Sequence, residues 1–225
     1  KSFKGIKAVR DLTLNVKEGE IVGLLGANGA GKSTTMNMLL GFINPDQGSV
    51  SINKIDCIKH AKEVRKLIGY IPENVNLYTY LTGVENLDYF CSLSGLKYSK
   101  TELHHFLDRC GLEKEAHTNK VSTYSKGMRQ KVGIAIALAK KAKVYLLDEP
   151  ASGLDPLASN ELSTLLKSLS SDGATILMAS HDIFRVREVC DRIGILKKGE
   201  LVKELNSNDV SANELENLYL EYMKN

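Results

Sequence analysis

The sequence has no apolar run long enough to cross a membrane. Its longest uninterrupted apolar stretches are short, as in Ile134 to Ala139, whereas a spanning helix needs roughly 18 residues or more. No signal peptide is visible, and the chain begins at Lys1 rather than Met, which leaves room for a short preceding segment. We therefore expect no membrane-spanning helix within these residues.

The sequence also lacks an excess of charge of one sign. It has 30 Lys and Arg against 27 Asp and Glu, which gives a net charge of +3 at pH 7. Proteins that bind nucleic acid usually carry a clearly basic patch or domain. The charge balance therefore gives no reason to expect a nucleic acid partner.

Closely spaced cysteine pairs are missing as well. Four cysteines lie far apart in the chain, most of them among apolar residues: Cys57, Cys91, Cys110 and Cys190. Isolated cysteines in such surroundings are usually buried and reduced. This pattern favours core packing over a disulfide framework or a metal site.

What the sequence does contain is an alternation of strand and helix patterns, which is typical of an α/β domain. Its 225 residues are 43% hydrophobic, enough for a sizeable core. Ile21 to Leu25, Val144 to Leu147 and Thr175 to Ala179 are unbroken apolar runs, as in parallel strands buried on both faces. Leu12 to Val16 alternates apolar and polar residues, which predicts a half-exposed strand. A helix is predicted from about Lys32 to Phe42.

The middle of the chain is more helical. Thr82 with Glu85 and Ser99 with Glu102 fit the capping box that opens a helix, and Ser211 with Glu214 repeats this pattern near the end. We expect one domain over 1–225, with an α/β core of about 1–73 and 143–225. A helical subdomain of about 74–142 would be inserted into that core.

A phosphate-binding motif lies between the first buried strand and the helix after it. Residues 26–33 read Gly-Ala-Asn-Gly-Ala-Gly-Lys-Ser and match Gly-x-x-x-x-Gly-Lys-Ser. The glycines let backbone N–H groups converge on phosphate oxygens. Lys32 would reach the β- and γ-phosphates, and the Ser33 hydroxyl would ligate Mg²⁺. The expected phosphate-binding residues are Asn28, Gly29, Ala30, Gly31, Lys32, Ser33 and Thr34.

Two acids end the apolar strand that starts at Val144. A carboxylate of Asp148 at a strand's carboxyl end, beside a phosphate loop, can hold Mg²⁺. Glu149 is then placed to polarise a water for in-line attack on the γ-phosphate. His181 follows the next buried strand, where a neutral imidazole could touch the same phosphate, although a single histidine is more often structural.

One motif points to a different class and is rejected. Asn53-Lys54-Ile55-Asp56 spells the Asn-Lys-x-Asp pattern with which GTPases read guanine. In GTPases that pattern follows an Asp-x-x-Gly motif, which here occurs only later, at Asp108 and Asp191. Asn53 and Lys54 are better explained as a turn between short strands.

A second anion-binding stretch is Thr-Tyr-Ser-Lys-Gly-Met-Arg-Gln-Lys, residues 123–131. Ser125 can cap a long apolar-striped helix, with Lys126-Gly127 as a flexible turn at its start. The free N–H groups and the dipole of such a helix end attract anions. From these residues alone an ordinary capped helix is an equal alternative, and the direction of the Lys126 side chain is open.

In this order the motifs resemble the nucleotide-binding domain of ABC-type ATPases over nearly the whole chain. The resemblance implies an α/β P-loop NTPase (RecA-like) fold, a mostly parallel sheet with a short antiparallel portion. It makes Asp148 the Walker B acid, Glu149 the catalytic base and His181 the switch histidine. It further implies that Phe3, where Tyr is more usual, stacks on adenine, and that Ser152 to Asp155 is the loop that crosses between subunits.

The resemblance also explains the second anion-binding stretch. Residues 124–130 look like a variant of the Leu-Ser-Gly-Gly-Gln signature, which binds the γ-phosphate of ATP held by another subunit. Ser125 and Gly127 match, whereas Tyr124, Lys126 and Met128 depart. Two nucleotide-binding domains, identical or paralogous, would then enclose two ATP molecules head to tail.

Glu73 is a second departure from the family pattern. The family usually has Gln at this position, and its side-chain oxygen ligates Mg²⁺. A carboxylate can ligate Mg²⁺ as well. Glu73 together with Tyr-Ser-Lys-Gly-Met resembles a bacterial exporter branch for drugs, antibiotics and sodium.

The function implied is the ATP-hydrolysing motor of an ABC transporter, at the cytoplasmic face of the membrane through a polytopic permease subunit. The expected docking surface follows Glu73 and includes Leu77, Tyr78 and Leu81, which could equally be core. The alternative is a soluble ABC ATPase acting on ribosomes or DNA. The single phosphate loop, the short segment between Ser33 and Asp148 and the balanced charge disfavour that alternative.

Overall fold

The computed structural model describes residues 1–224. The described chain has short strands, listed in order: β1 Ser2–Phe3, β2 Ile6–Lys7, β3 Ile21–Leu25, β4 Ser51–Ile52, β5 Ile55–Asp56, β6 Ile68–Ile71, β7 Val144–Asp148, β8 Thr175–Ser180, β9 Arg192–Lys197 and β10 Glu200–Asn206. The α-helices are α1 Lys32–Leu39, α2 Ala61–Leu67, α3 Gly83–Leu93, α4 Lys100–Arg109, α5 Lys114–His117, α6 Lys126–Ala139, α7 Pro156–Ser171, α8 Ile183–Val189 and α9 Ala212–Lys224.

Six strands form one sheet in the order β10-β9-β3-β8-β7-β6. All neighbouring strands are parallel except β10, which runs antiparallel to β9. The carboxyl ends of the parallel strands align, because Leu25 pairs with Ser180 and Asp148 with Ala179. The α/β class with a mostly parallel sheet is thus confirmed, and ligands of such sheets bind at this carboxyl edge.

Both faces of the sheet are covered, which explains the unbroken apolar strands. Val22 and Leu24 of β3 face a cluster that includes Met36 of α1. Ile21 and Leu25, at the alternate positions, face a larger cluster that extends to the helices between β6 and β7. A strand buried on both sides needs apolar side chains at every position.

The helices between β6 and β7 begin where the sequence predicts. The Glu85 N–H donates to Thr82 Oγ1 at 3.2 Å, and the Thr82 N–H donates to Glu85 Oε2 at 2.8 Å. Ser99 and Glu102 repeat the same reciprocal pair at the start of α4. Helix α6 packs against α3 and α4 and also against β6, so it joins the helical region to the sheet.

Three local predictions were wrong in detail. Leu12 to Val16 forms no strand; Leu14 and Val16 still pack against the core, so their alternation reflects burial without a pairing partner. Helix α1 ends at Leu39 rather than Phe42, because Gly41 adopts a φ of +67°. Lys126 and Gly127 are not a flexible turn but the first residues of α6.

Other expectations were right. Asn53 and Lys54, with φ of +50° and +64°, make the turn between β4 and β5, so the GTPase-like motif is a hairpin. All four cysteines are buried and free. Among residues 1–224 no helix combines the length and the apolar character that a membrane span requires.

Candidate functional site

The phosphate loop connects β3, in the middle of the sheet, to α1. Gly31 precedes the helix with a φ of +108°, which favours glycine. A Cβ at this position would lie 2.5 Å from the Ala8 carbonyl oxygen, so the loop also needs glycine for packing. The first helical hydrogen bond runs from the Thr35 N–H to the Gly31 oxygen. The N–H groups of residues 32–34 therefore precede the helical ladder and are available to an anion.

Lys32 is held by the loop that it belongs to. Its side chain is only 6% exposed, and Nζ donates to the Gly26 oxygen at 2.5 Å and the Ala27 oxygen at 3.2 Å. Nζ also lies 3.1 Å from Glu149 Oε1. This ammonium thus connects the phosphate loop to the end of β7.

Glu149 sits between Lys32 and His181. Its Oε2 accepts hydrogen bonds from His181, at 2.9 Å from Nδ1 and 3.2 Å from the backbone N–H. Its backbone φ is +49°, and its N–H donates to the Ala179 oxygen at 2.9 Å. A glutamate in the left-handed region is strained, and such strain is common at functional sites. The three residues expected to be catalytic are therefore brought together by the ends of β3, β7 and β8.

Asp148, the last residue of β7, provides a carboxylate at the same edge. Burial raises its pKa above the ordinary value, and the nearby carboxylates of Glu149 and Glu73 add to this. Hydrogen bonding from Ser33 and the charge of Lys32 act against this increase and lower the pKa. Carboxylates and a hydroxyl are the hard oxygen donors that Mg²⁺ prefers, and a cation would relieve this carboxylate repulsion. The donor set of Ser33, Asp148 and Glu73 therefore fits Mg²⁺.

Glu73 follows β6, and its side chain contacts two other loops. Oε1 accepts a hydrogen bond from Ser152 Oγ at 3.0 Å and lies 3.8 Å from Lys126 Nζ. The first contact reaches the loop after β7, and the second reaches the start of α6. Glu73 and Lys126, two of the positions that depart from the family pattern, are thus neighbours.

Ser125 and Gly127 lie at the N-terminus of α6. Ser125 is exposed, and its Oγ accepts a hydrogen bond from the Met128 N–H at 3.2 Å, so it is the N-cap. Gly127 is buried, and a Cβ there would lie 3.1 Å from the Ala158 Cβ. A side chain at position 127 would therefore crowd α7 of the same chain.

Asp155 and Phe3 occupy more peripheral positions. Asp155 Oδ1 accepts a hydrogen bond from the Ala158 N–H at 2.9 Å and so caps α7. Phe3 belongs to the β1–β2 hairpin, is 43% exposed and lies 5.5 Å from Lys1 Nζ. The hairpin leads into Ala8, which contacts Gly31, so the exposed ring belongs to a segment that borders the phosphate loop.

The surface after Glu73 displays aromatic rings. Leu77 packs against the core, but Tyr78 is 37% exposed and stacks edge-on against Tyr89 at 4.9 Å. The Asn86 side chain accepts a hydrogen bond from the Tyr78 N–H at 2.8 Å and donates one to the Tyr78 backbone oxygen at 3.0 Å. Tyr78 is thus a rigidly presented surface residue, whereas Leu77 is core.

Sequence reasoning missed Gln130. Its side chain is buried, and Nε2 donates to the backbone oxygen of Glu73 at 3.1 Å. This contact fastens the second turn of α6 to the segment after β6. The available signal was its position: Gln130 falls on the buried face of α6, between Gly127 and Ile134, where an apolar residue is the norm.

Comparisons with known proteins agree with this geometry. A family model described as ABC transporter matches residues 9–152. The uncharacterized ABC transporter ATP-binding protein YdbJ of Bacillus subtilis is 38% identical over 88% of this chain and 64% of its own length. The bacitracin transport ATP-binding protein BcrA of Bacillus licheniformis is 39% identical over 91% of this chain and 67% of its own length. The chain thus spans less than two thirds of YdbJ and about two thirds of BcrA.

A solved structure shares the fold over most of the chain. It is the dimeric post-hydrolysis state of an ATP-binding cassette bound to ADP and Pi, with a TM-score of 0.79 and 32% identity. The match covers 89% of this chain and 90% of the other. Since the family model spans more than half of the chain and the motifs meet at one edge of the sheet, this chain belongs to the ABC transporter family, as an ATP-binding domain.

Proposed function

We propose that this chain is the motor subunit of an ABC transporter, working as a pair of domains that enclose two ATP molecules head to tail. The observation that carries the hydrolytic part is the contact of Glu149 with both Lys32 and His181 beside the phosphate loop. The paired arrangement is supported by the dimeric state of the similar cassette. The α/β core of about 1–73 and 143–225 would carry one half of each composite site. The helical subdomain of about 74–142 in the second domain would carry the α6 N-terminus of the other half.

The residues at the carboxyl edge of the sheet would bind the phosphates, accept a proton and hold Mg²⁺. The loop from Asn28 to Thr34 would hold the phosphates, with Lys32 as the positive charge. Glu149 would accept a proton from the attacking water, and the His181 bond to Oε2 would fix its orientation. Ser33, Asp148 and Glu73 would hold Mg²⁺, which supplies positive charge to the phosphoryl group that is transferred.

The opposite face of the composite site would come from a second domain. Ser125 and Gly127 at the start of its α6 would face the γ-phosphate, with the loop through Asp155 beside them. Ser125 is exposed, and it is the first donor at a helix N-terminus that is positive by its dipole. Phe3 would provide an exposed ring for adenine.

The membrane partner would dock on the aromatic surface formed by Tyr78, Tyr80 and Tyr89. These rings are between 37% and 67% exposed, and Tyr78 contacts each of the other two edge-on. An exposed aromatic cluster on a rigid support is typical of an interaction surface. Export is the proposed direction, since the printed name of BcrA concerns bacitracin transport and the motif variants resemble an exporter branch.

A photo-crosslinking residue at Tyr78 tests the docking proposal. In membranes of the native cell we expect it to crosslink to a polytopic membrane protein. The same residue at Phe42, which is 63% exposed but lies after α1, is the matched control and should give no such product. Equal crosslinking from both positions, or none from Tyr78, would contradict the proposed dock.

A further inference from the structure

Two side chains at the start of α6 contact Glu73, in the segment after β6. The first is neutral and buried: Gln130 Nε2 donates to the Glu73 backbone oxygen at 3.1 Å. The second is charged: Lys126 Nζ lies 3.8 Å from Glu73 Oε1. Both contacts converge on the single residue Glu73, one from each of the first two turns of the helix.

The side chain of Glu73 is itself oriented by a third element. Ser152 Oγ, in the loop between β7 and α7, donates to Oε1 at 3.0 Å. Gly153, in the same loop, lies beside Lys126, since a Cβ on Gly153 would be 3.7 Å from Nζ. The ammonium of Lys126 is therefore directed at groups of its own chain.

We propose that Glu73 and Lys126 form a positioning pair that sets where the N-terminus of α6 lies relative to the phosphate-binding edge of the same chain. Lys126 on this account acts through Glu73 and is not a phosphate ligand for a facing domain. The catalytic consequence rests on the proposed function, because it concerns the exposed Ser125 at the same helix end. The contact itself does not depend on that function.

The charges explain why these two departures from the family pattern, Glu73 and Lys126, occur together in one chain. A glutamine at position 73 would leave Lys126 without its carboxylate partner. A neutral residue at position 126 would leave the Glu73 carboxylate near the carboxylate of Asp148, whose pKa it already helps to raise. Each substitution alone therefore creates an imbalance that the other removes.

The Lys126 side chain is 28% exposed and the Glu73 side chain 47%, so the interaction free energy of the pair is modest. Ion pairs at such exposure change an equilibrium constant by about two- to fivefold. That is enough to shift a helix end that must meet a ligand, but too little to decide whether the chain folds. Variants of the pair should therefore be folded and measurable.

A double-mutant cycle tests the pair in the protein without nucleotide. Glu73→Gln, Lys126→Met and the double variant are compared by amide hydrogen exchange of residues 125–130. We expect each single change to speed exchange about two- to fivefold, and the double variant to exchange no faster than the faster single. Additive effects, or no change in either single variant, would overturn the proposal.

The same four proteins are then assayed for ATP hydrolysis. The pair predicts that Lys126→Met lowers kcat about two- to fivefold with an unchanged KM for ATP, and has no further effect in the Glu73→Gln background. A facing-phosphate role for Lys126 predicts instead an equal rise in KM in both backgrounds, and that result would overturn the proposal. If Lys32→Ala hydrolysed ATP as fast as the wild-type protein, that result would count against the proposed function alone. The amide-exchange result does not depend on ATP hydrolysis.

A second ion pair on the same helix is the matched control. Lys131 Nζ lies 2.6 Å from Glu161 Oε2 and joins α6 to α7, away from the phosphate edge. Lys131→Met with Glu161→Gln should leave both kcat and the exchange of residues 125–130 unchanged. If these variants reproduced the effects of the Glu73 and Lys126 changes, the effect would belong to α6 in general and the positioning role would be wrong.

Discussion

Two regions of this chain present groups that suit an anion, and they differ in how much of a site one chain supplies. At the carboxyl edge of the sheet, Lys32, Glu149 and His181 contact one another, and Asp148 and Ser33 lie beside them. At the N-terminus of α6, Ser125 is exposed and bonds only its own helix among the described contacts. The first region contains charged groups arranged for chemistry, whereas the second offers a helix end and a hydroxyl. The difference suggests that the second region completes a site whose chemistry lies in another molecule.

The largest expected effect breaks the first region. Glu149→Gln keeps the size and the hydrogen-bond acceptor but removes the negative charge that would take up a proton from water. We expect kcat for ATP hydrolysis to fall about 10²-fold or more, while ATP binding is retained. Steady-state phosphate release and equilibrium nucleotide binding measure the two quantities. Hydrolysis near the wild-type rate would remove Glu149 from the role of base.

A smaller effect separates the two roles of Ser125. Ser125 and Ser99 both cap helices, with Oγ accepting the N–H three residues on at 3.2 and 3.3 Å. Alanine at either position should cost about 1 kcal/mol of unfolding free energy, since each variant loses the hydrogen bond from the N–H three residues on. Only Ser125→Ala should also lower ATP hydrolysis, by about tenfold, because a hydrogen bond to a charged group is lost.

Chemical denaturation and steady-state ATPase assays measure these two effects side by side. Ser99→Ala controls for the cost of a lost cap in the same helical region. Equal ATPase rates in the two variants would mean that Ser125 is a cap and nothing more.

These regions were predictable from the sequence to different extents. Lys32, Ser33 and the strand ending in Asp148 were identified because phosphate and metal chemistry require particular side chains at short, fixed spacing. The contact of Lys126 with Glu73 was not, because it joins the end of β6 to the start of α6 and depends on how α6 packs on the sheet. Sequence showed that both positions were unusual but not that they meet.

The same reasoning explains the one strand that was wrongly predicted. Leu12 to Val16 has the alternation of a strand, and Leu14 and Val16 do pack against the core. A strand also needs a neighbour with which to pair, and periodicity carries no information about that neighbour. Ser125, in contrast, was identified as an N-cap from local sequence, because a cap is made within four residues.

The smallest expected effect lies in the helical region and depends on pH. Hydrogen bonds from Ser99, first its backbone N–H and then its hydroxyl, lower the pKa of Glu102 below its ordinary value. A lowered pKa in the folded state means that this contribution is present above the unfolded pKa and is lost as the pH falls through the folded one. Glu102→Gln should therefore slightly lower the unfolding free energy near neutral pH and reduce its dependence on pH below about 4.5. Chemical denaturation of both proteins across about pH 3 to 7, a range that brackets the pKa of a glutamate, measures the unfolding free energy at each pH. An unchanged pH dependence would contradict the assigned role of the capping box.

The central claim is that one chain supplies the phosphate loop and another supplies the α6 N-terminus to each ATP. Lys32→Ala should disable the first region, and Ser125→Arg should block the second by adding bulk and charge at an exposed position. The most direct test is ATP hydrolysis by mixtures of these two inactive variants. A mixed dimer would contain one site with both mutations and one with neither, so the account predicts partial recovery of activity that depends on the mixing ratio. Mixtures as inactive as each variant alone, with mixed dimers shown to form, would contradict it.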